Sequence, residues 1–211
     1  MKTPRRKFLE SCAAGAAGAL LPLPAAAEWG VIHELSGEVL LNGYRMRPGS
    51  AIRAGQTVRT GADGKIWFTL AGDAYFLRPR SELRLTSSSG VESLIDLLRL
   101  VSGALGATFK PGRPRQVLAP TATIGIRGTG IYVESRTEET YACTCFGSTE
   151  IYSAEGGPMM EQVSVHAEHH LARRILRDPA AGMRVVHAPF EHHTNEEIAR
   201  LEHLVGRPNP F

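Results

Sequence analysis

An all-β domain, a sandwich or barrel-like stack of short antiparallel strands with one helix at its C-terminal end, is the fold class this sequence predicts. Three observations predict it. From Trp29 onward short apolar runs recur between turn dipeptides at regular spacing. Residues 119–134, APTATIGIRGTGIYVE, carry Ile124, Ile126, Ile131 and Val133 on a strand-like pattern interrupted by Gly125, Gly128 and Gly130. Thr194 then opens a capped amphipathic stretch. With 43% hydrophobic and 21% charged residues over 211 positions, the chain is too apolar for disorder and long enough to bury a core.

The first residues read as an address. Arg5, Arg6 and Lys7 precede a mild Ala/Gly-rich apolar run over 12–23 and a small-residue cleavage pattern at Ala25, Ala26 and Ala27, which predicts cleavage before Glu28. The string PRRKFL resembles a twin-arginine export signal, a family that carries folded proteins out of the cytoplasm, often after a cofactor has been loaded. A periplasmic location follows as the expectation. The apolar run is shorter than the about 20 residues that span a bilayer, so no transmembrane anchor is expected. The leader holds four of the 24 basic residues and one of the 21 acidic ones, which leaves the remainder formally neutral. A neutral domain with no aromatic platform along a basic stripe is not built for nucleic acid.

Strands are expected at 39–41, 57–59, 65–70, 74–77 and 82–86, separated by the turn dipeptides Asn42-Gly43, Asp63-Gly64 and Gly72-Asp73. Stretches 94–100 and 103–109 continue the sheet, although SLIDLLRL fits a short helix by periodicity as well. In 119–134 the glycines predict two short strands meeting at a kink. Arg127, Gly128, Thr129 and Gly130 form that turn, with Arg127 as a structural clamp making charge-assisted hydrogen bonds to its surroundings.

Several of these residues also carry a family resemblance. Gly37-Glu38-Val39, the run from Gly49 to Gly61, the turn at Asp73, Pro79 with Ser81, Ser102-Gly103-Ala104-Leu105 and above all APTATIGIRGTG resemble a FecR domain. The resemblance covers residues 35–133. It implies a periplasmic β-domain of the kind found in membrane-anchored regulators that relay an outer-membrane iron-uptake signal. On this reading the chain divides into a leader (1–27), a FecR-like β domain with a Cys-x-Cys strand extension (28–157) and a His-rich segment ending in a helix (158–211).

Beyond the resemblance lies the chemically distinctive part. Cys143 and Cys145 are the cysteines left once the leader is removed. On an extended strand their side chains share one face about 7 Å apart, too far for a relaxed disulfide and suited to gripping one soft metal ion. They can also form a strained disulfide, remain thiols or simply pack as small hydrophobes. Seven of the eight histidines fall after Val165, which hints at Zn, Cu or haem ligation, with His169 and His170 as the imidazole candidates beside the dithiol.

Thr194 and Glu197 have the spacing of a capping box, and Ile198, Leu201, Leu204 and Val205 line one face of a helix that Gly206 and Pro208 end. That stripe is expected to dock on the sheet or on a second subunit. No nucleophile elbow, phosphate loop or carboxylate pair is present, and no third group is evident that would orient a Cys/His dyad. The sequence therefore predicts a non-enzymatic binding or regulatory module whose partner is an envelope protein or a polysaccharide. The alternative is a metal- or haem-binding protein using Cys143, Cys145 and the C-terminal histidines.

Overall fold

A computed structural model describes residues 29–47, 49–86, 96–166, 170–178 and 184–211. The leader, the first residues of the 94–100 stretch and His169 lie outside the described residues. The chain runs β1 (Val31–Ser36), β2 (Val39–Leu41), β3 (Tyr44–Arg45), β4 (Thr57–Thr60), β5 (Lys65–Leu70), β6 (Asp73–Leu77) and β7 (Glu82–Thr86). It continues through β8 (Leu97–Thr108), β9 (Arg115–Leu118), β10 (Ala122–Ser135), β11 (Glu139–Ser153), β12 (Glu161–Val165), β13 (Leu171–Leu176) and β14 (Val185–Ala188), and ends in α1 (Asn195–Leu204). The fold is all-β with one C-terminal helix, and the sheet is not closed into a barrel.

β8 organises the two layers. Its first half pairs with β7, which continues through β4 and β2 to β3, while its second half pairs with β6, which continues through β5 to β1. Apolar side chains of both branches meet in one core: Val39, Val58, Leu83 and Leu98 from one, Ile66, Phe68, Tyr75 and Leu77 from the other. The ambiguous stretch before residue 100 thus lies in a strand from Leu97 onward, because four strands pair with β8 and their ladder outweighs any local helical period.

A second core lies on the outer face. Alternation along β6 sends Tyr75 and Leu77 inward and Ala74 and Phe76 outward, where they join Trp67, Ala104, Tyr132, Tyr141, Cys143, Cys145 and Ala172. Helix α1 covers this face with Ile198 and Leu201, both fully buried. A strand buried on both faces reads as a continuous apolar run, which is what AYFL is.

The capping box forms as expected: Thr194 Oγ1 accepts from the Glu197 N–H, and the Glu197 carboxylate accepts from the Thr194 N–H. Arg78 anchors the same turn, donating to the Glu197 carboxylate at 2.7 Å and to the His192 carbonyl at 3.1 Å. Among the described residues no helix is long and apolar enough to cross a membrane.

Candidate metal centre

β10 and β11 pair from Ala122↔Ser153 to Ser135↔Thr140, so the glycine-rich stretch is one strand of 14 residues and not two strands joined at a turn. The glycines are absorbed as irregularities of register. Ile131 pairs with Thr144 and Gly130 with Phe146, which leaves Cys145 as the extra residue of a bulge. Gly128 takes φ +61, a left-handed conformation that a glycine adopts without a Cβ penalty. A Cβ on Gly130 would stand 2.4 Å from a Phe146 ring carbon, so this position must be glycine for the ring to cross the strand. Thr129 is buried, whereas Arg127 is not a buried clamp: its side chain is 65% exposed and pairs with Glu150 of β11 at 2.7 Å.

The bulge changes what the two cysteines can do. A regular strand would hold their side chains about 7 Å apart, but here Cys143 Sγ, Cys145 Sγ, one nitrogen of His170 and one of His193 all lie within 4.8 Å of one another. His170 stands directly before β13, whose pairing of Leu171 with Thr144 brings it beside Cys143. Its Nδ1 is 3.6 Å from Cys143 Sγ. His193 sits one residue before the helix N-cap, with Nε2 3.4 Å from Cys145 Sγ. Metal–sulfur and metal–nitrogen bonds of about 2.3 and 2.0 Å at tetrahedral angles put S and N about 3.5 Å apart. Both observed separations match that edge.

The far nitrogens are held as well. His193 Nδ1 is 2.9 Å from the Glu191 carbonyl, to which it can only donate, and His170 Nε2 is 2.6 Å from Asn195 Oδ1. When the rings are neutral, each hydrogen bond fixes the tautomer that leaves the other nitrogen with its lone pair towards the sulfurs, the arrangement that orients imidazoles on metals. Both thiols are free and buried, with Cys143 1% and Cys145 0% exposed.

Aromatic rings close the surroundings. Tyr132 stacks on His193 at 4.4 Å, Phe190 lies 4.1 Å from the His170 ring and 4.6 Å from that of His193, and Phe211 stacks on His170 at 5.3 Å. In this dry pocket the thiols split in character. A hydrogen bond from Cys145, together with those of His170 and His193, holds the Cys143 thiol well below its ordinary range against the upward push of burial. Burial and the neighbouring Cys143 push Cys145 up. Burial lowers His170, but its hydrogen bonds to Cys143 and Asn195 outweigh this and leave it raised. A lowered thiol beside a second thiol and two imidazole rings is a donor set of the kind a soft cation takes.

The sequence candidates are therefore brought together in part. Cys143, Cys145 and His170 converge, and His169 lies outside the described residues. His193, ranked by sequence only among the C-terminal histidines, supplies the fourth of the converging donor atoms. Asn195 is the orienting group that sequence reasoning did not find. His33 and His192 are engaged elsewhere, with Thr69 and Glu134.

No protein-family model and no curated relative matches this sequence. Among solved structures the chain is similar to two crystal structures of a candidate anti-sigma factor from Parabacteroides distasonis ATCC 8503, at 13% identity and with TM-scores of 0.50 and 0.49. Each match covers 64% of this chain and 60% of that one, so the chain spans about three fifths of its neighbour's length. At this identity the likeness shows the fold.

Proposed function

We propose that the chain is an exported, non-enzymatic FecR-type module that holds one thiophilic metal ion, Zn²⁺ foremost, between Cys143, Cys145, His170 and His193. The observation that carries this reading is the convergence of four ligand atoms within 4.8 Å, each imidazole already hydrogen-bonded on its far side. Two thiolates and two imidazoles suit Zn²⁺ or Cu⁺. Four protein ligands fill a tetrahedron, which favours a structural or regulatory ion over a catalytic one with an open position. Haem suits the arrangement poorly, because its axial ligands stand on opposite faces of a macrocycle and these four atoms point to one centre.

The fold neighbour is described as a candidate anti-sigma factor, and the resemblance of residues 35–133 to a FecR domain points the same way. Together they support a regulatory module. The twin-arginine-like leader supports export in the folded state, the route by which an ion loaded in the cytoplasm would be retained.

One observation favours a second reading. Cys143 Sγ, His170 Nδ1, His170 Nε2 and Asn195 Oδ1 follow one another in the order of a cysteine nucleophile, its base and an orienting amide. Burial argues against it, since a sulfur on a residue 1% exposed has no face free for a substrate carbonyl.

Metal analysis of the full chain recovered from the periplasm tests both readings. One zinc per chain is expected, with tetrahedral thiolate bands on Co²⁺ replacement and loss of both in Cys143→Ser/Cys145→Ser. A metal-free protein whose native thiols are fully alkylated by iodoacetamide would overturn the metal reading, and rapid selective labelling of Cys143 would favour the nucleophile.

A further inference from the structure

The four ligand atoms come from parts of the chain that differ in how firmly they are held. Cys143 and Cys145 belong to β11, which is hydrogen-bonded to β10 on one side and to β12 and β13 on the other. His170 enters from the start of β13. His193 arrives with the segment between β14 and α1, and its position is set by the N-cap of the helix. Asn195, the first residue of α1, holds His170. Both imidazoles are thus tied to the first turn of one helix.

The helix depends on what it touches. It has 10 residues, a length at which an isolated helix is marginal in water. Its contacts with the sheet include the buried side chains Ile198 and Leu201, the partly buried Leu204 and Val205, the Arg78–Glu197 pair, an exposed pair between Arg200 and Glu34 and the Arg200 guanidinium over Trp67. Beyond its end Arg207 bonds Glu202, the Gly72 carbonyl and Thr108 Oγ1. The approach to the ligand is strained: His192, immediately before His193, sits at φ +69, in the left-handed region that residues with a Cβ avoid.

We infer that metal occupancy and helix docking are one coupled equilibrium: the ion latches α1 onto the outer aromatic face of the sheet, and its loss frees the helix. This regulation rests on the metal reading of the site. With the ion bound, His193 cannot leave the sheet without giving up a metal bond, so lifting the helix requires losing the ion or a ligand. Without it, the attraction left at the first turn is a set of hydrogen bonds, among them that of Cys145 with His193 and that of His170 with Asn195. The surface under the helix is apolar and aromatic, built from Trp67, Phe76, Ala104 and Tyr132. Metal supply would thereby set how often that surface is uncovered. Coupling of this kind is reciprocal, so whatever loosens the helix must weaken the ion by the same factor.

Trp67 reports on the docked state, because the Arg200 guanidinium of α1 lies 4.3 Å over its ring and the residue is 7% exposed. Hydrogen exchange and Trp fluorescence are measured on the full chain, chelator-treated and then titrated with Zn²⁺. Metal removal is expected to speed exchange of the 195–204 amides about tenfold or more, to leave β10 and β11 unchanged and to shift the Trp67 emission, all reversed by one equivalent of Zn²⁺. Leu201→Ala, which alters no ligand, is expected to weaken Zn²⁺ about tenfold through the same linkage. Arg78→Ala, at the rim, serves the same purpose should the core variant not fold. If Zn²⁺ binds one per chain while exchange of α1 and the affinities of these variants stay unchanged, the latch is overturned and the metal reading stands. If no Zn²⁺ binds, both fall.

Discussion

Asn195 Oδ1 lies 2.6 Å from His170 Nε2, so the first residue of the helix fixes the tautomer of an imidazole that enters from a different strand. Replacing that amide tests the metal centre without touching a ligand. Asn195→Ala is expected to lower Zn²⁺ affinity between about 10- and 100-fold, the usual cost of losing an outer partner of a ligating histidine. Competition with a chromophoric chelator measures it, and an unchanged affinity would show that His170 does not ligate.

Proton and metal act in opposite directions on the same residues. In the metal-free chain the raised His170 contributes stability that is fully present below its unfolded value of 6.5 and is lost as pH rises through its higher folded value. The metal-loaded chain behaves inversely, since Zn²⁺ must displace the His170 proton, and its affinity falls as pH drops through that same raised value. The lowered Cys143 thiol adds stability that grows with pH over the same range, so the His170 part is read as a difference. Between pH 5 and 8, about a unit and a half either side of an ordinary imidazole, the stability of the wild type relative to His170→Gln should fall with pH in chelator and rise with pH in saturating Zn²⁺. Parallel slopes would sink this assignment.

Gly130→Ala places a methyl group 2.4 Å from a Phe146 ring carbon, next to the bulge that turns Cys145 towards the centre. Displacing the ring should cost about 1–3 kcal/mol, the usual range for overpacking. On the metal reading the Co²⁺ spectrum should weaken beyond what the loss of stability explains, because the re-aimed residue would be a ligand. Urea unfolding and the Co²⁺ titration separate the two effects.

Arg127→Lys is expected to leave the melting temperature unchanged within error. The guanidinium is exposed and makes one pair with Glu150, an arrangement that solvent screens strongly. A clear drop on calorimetry would return Arg127 to the role of clamp that its position between glycines suggested.

The period-two runs made the strands legible, because one side of each strand faces a dry core whichever partner it finds. The capping box made the helix legible for a similarly local reason. Reading 119–134 as two strands failed because the register of β10 is decided by β11, β9 and β8 together, and this ladder carries the chain through its glycines as bulges. At the site, Cys143, Cys145 and His170 stood out by composition. His193 and Asn195 could not, since their place depends on where a helix lands on a sheet more than 100 residues earlier in the chain, at Arg78 and Trp67.

The walls of the centre are unequal. Cys145 has no exposed surface, Cys143 and His193 are buried, and His170 alone among the four is partly open, beneath a Phe190 that is 46% exposed and a Phe211 ring stacked alongside. On the metal reading, the side of His170 where those two rings meet the imidazole is the open side for an ion to enter or leave. The lifetime of a bound ion would then be a property of that doorway as well as of the four bonds.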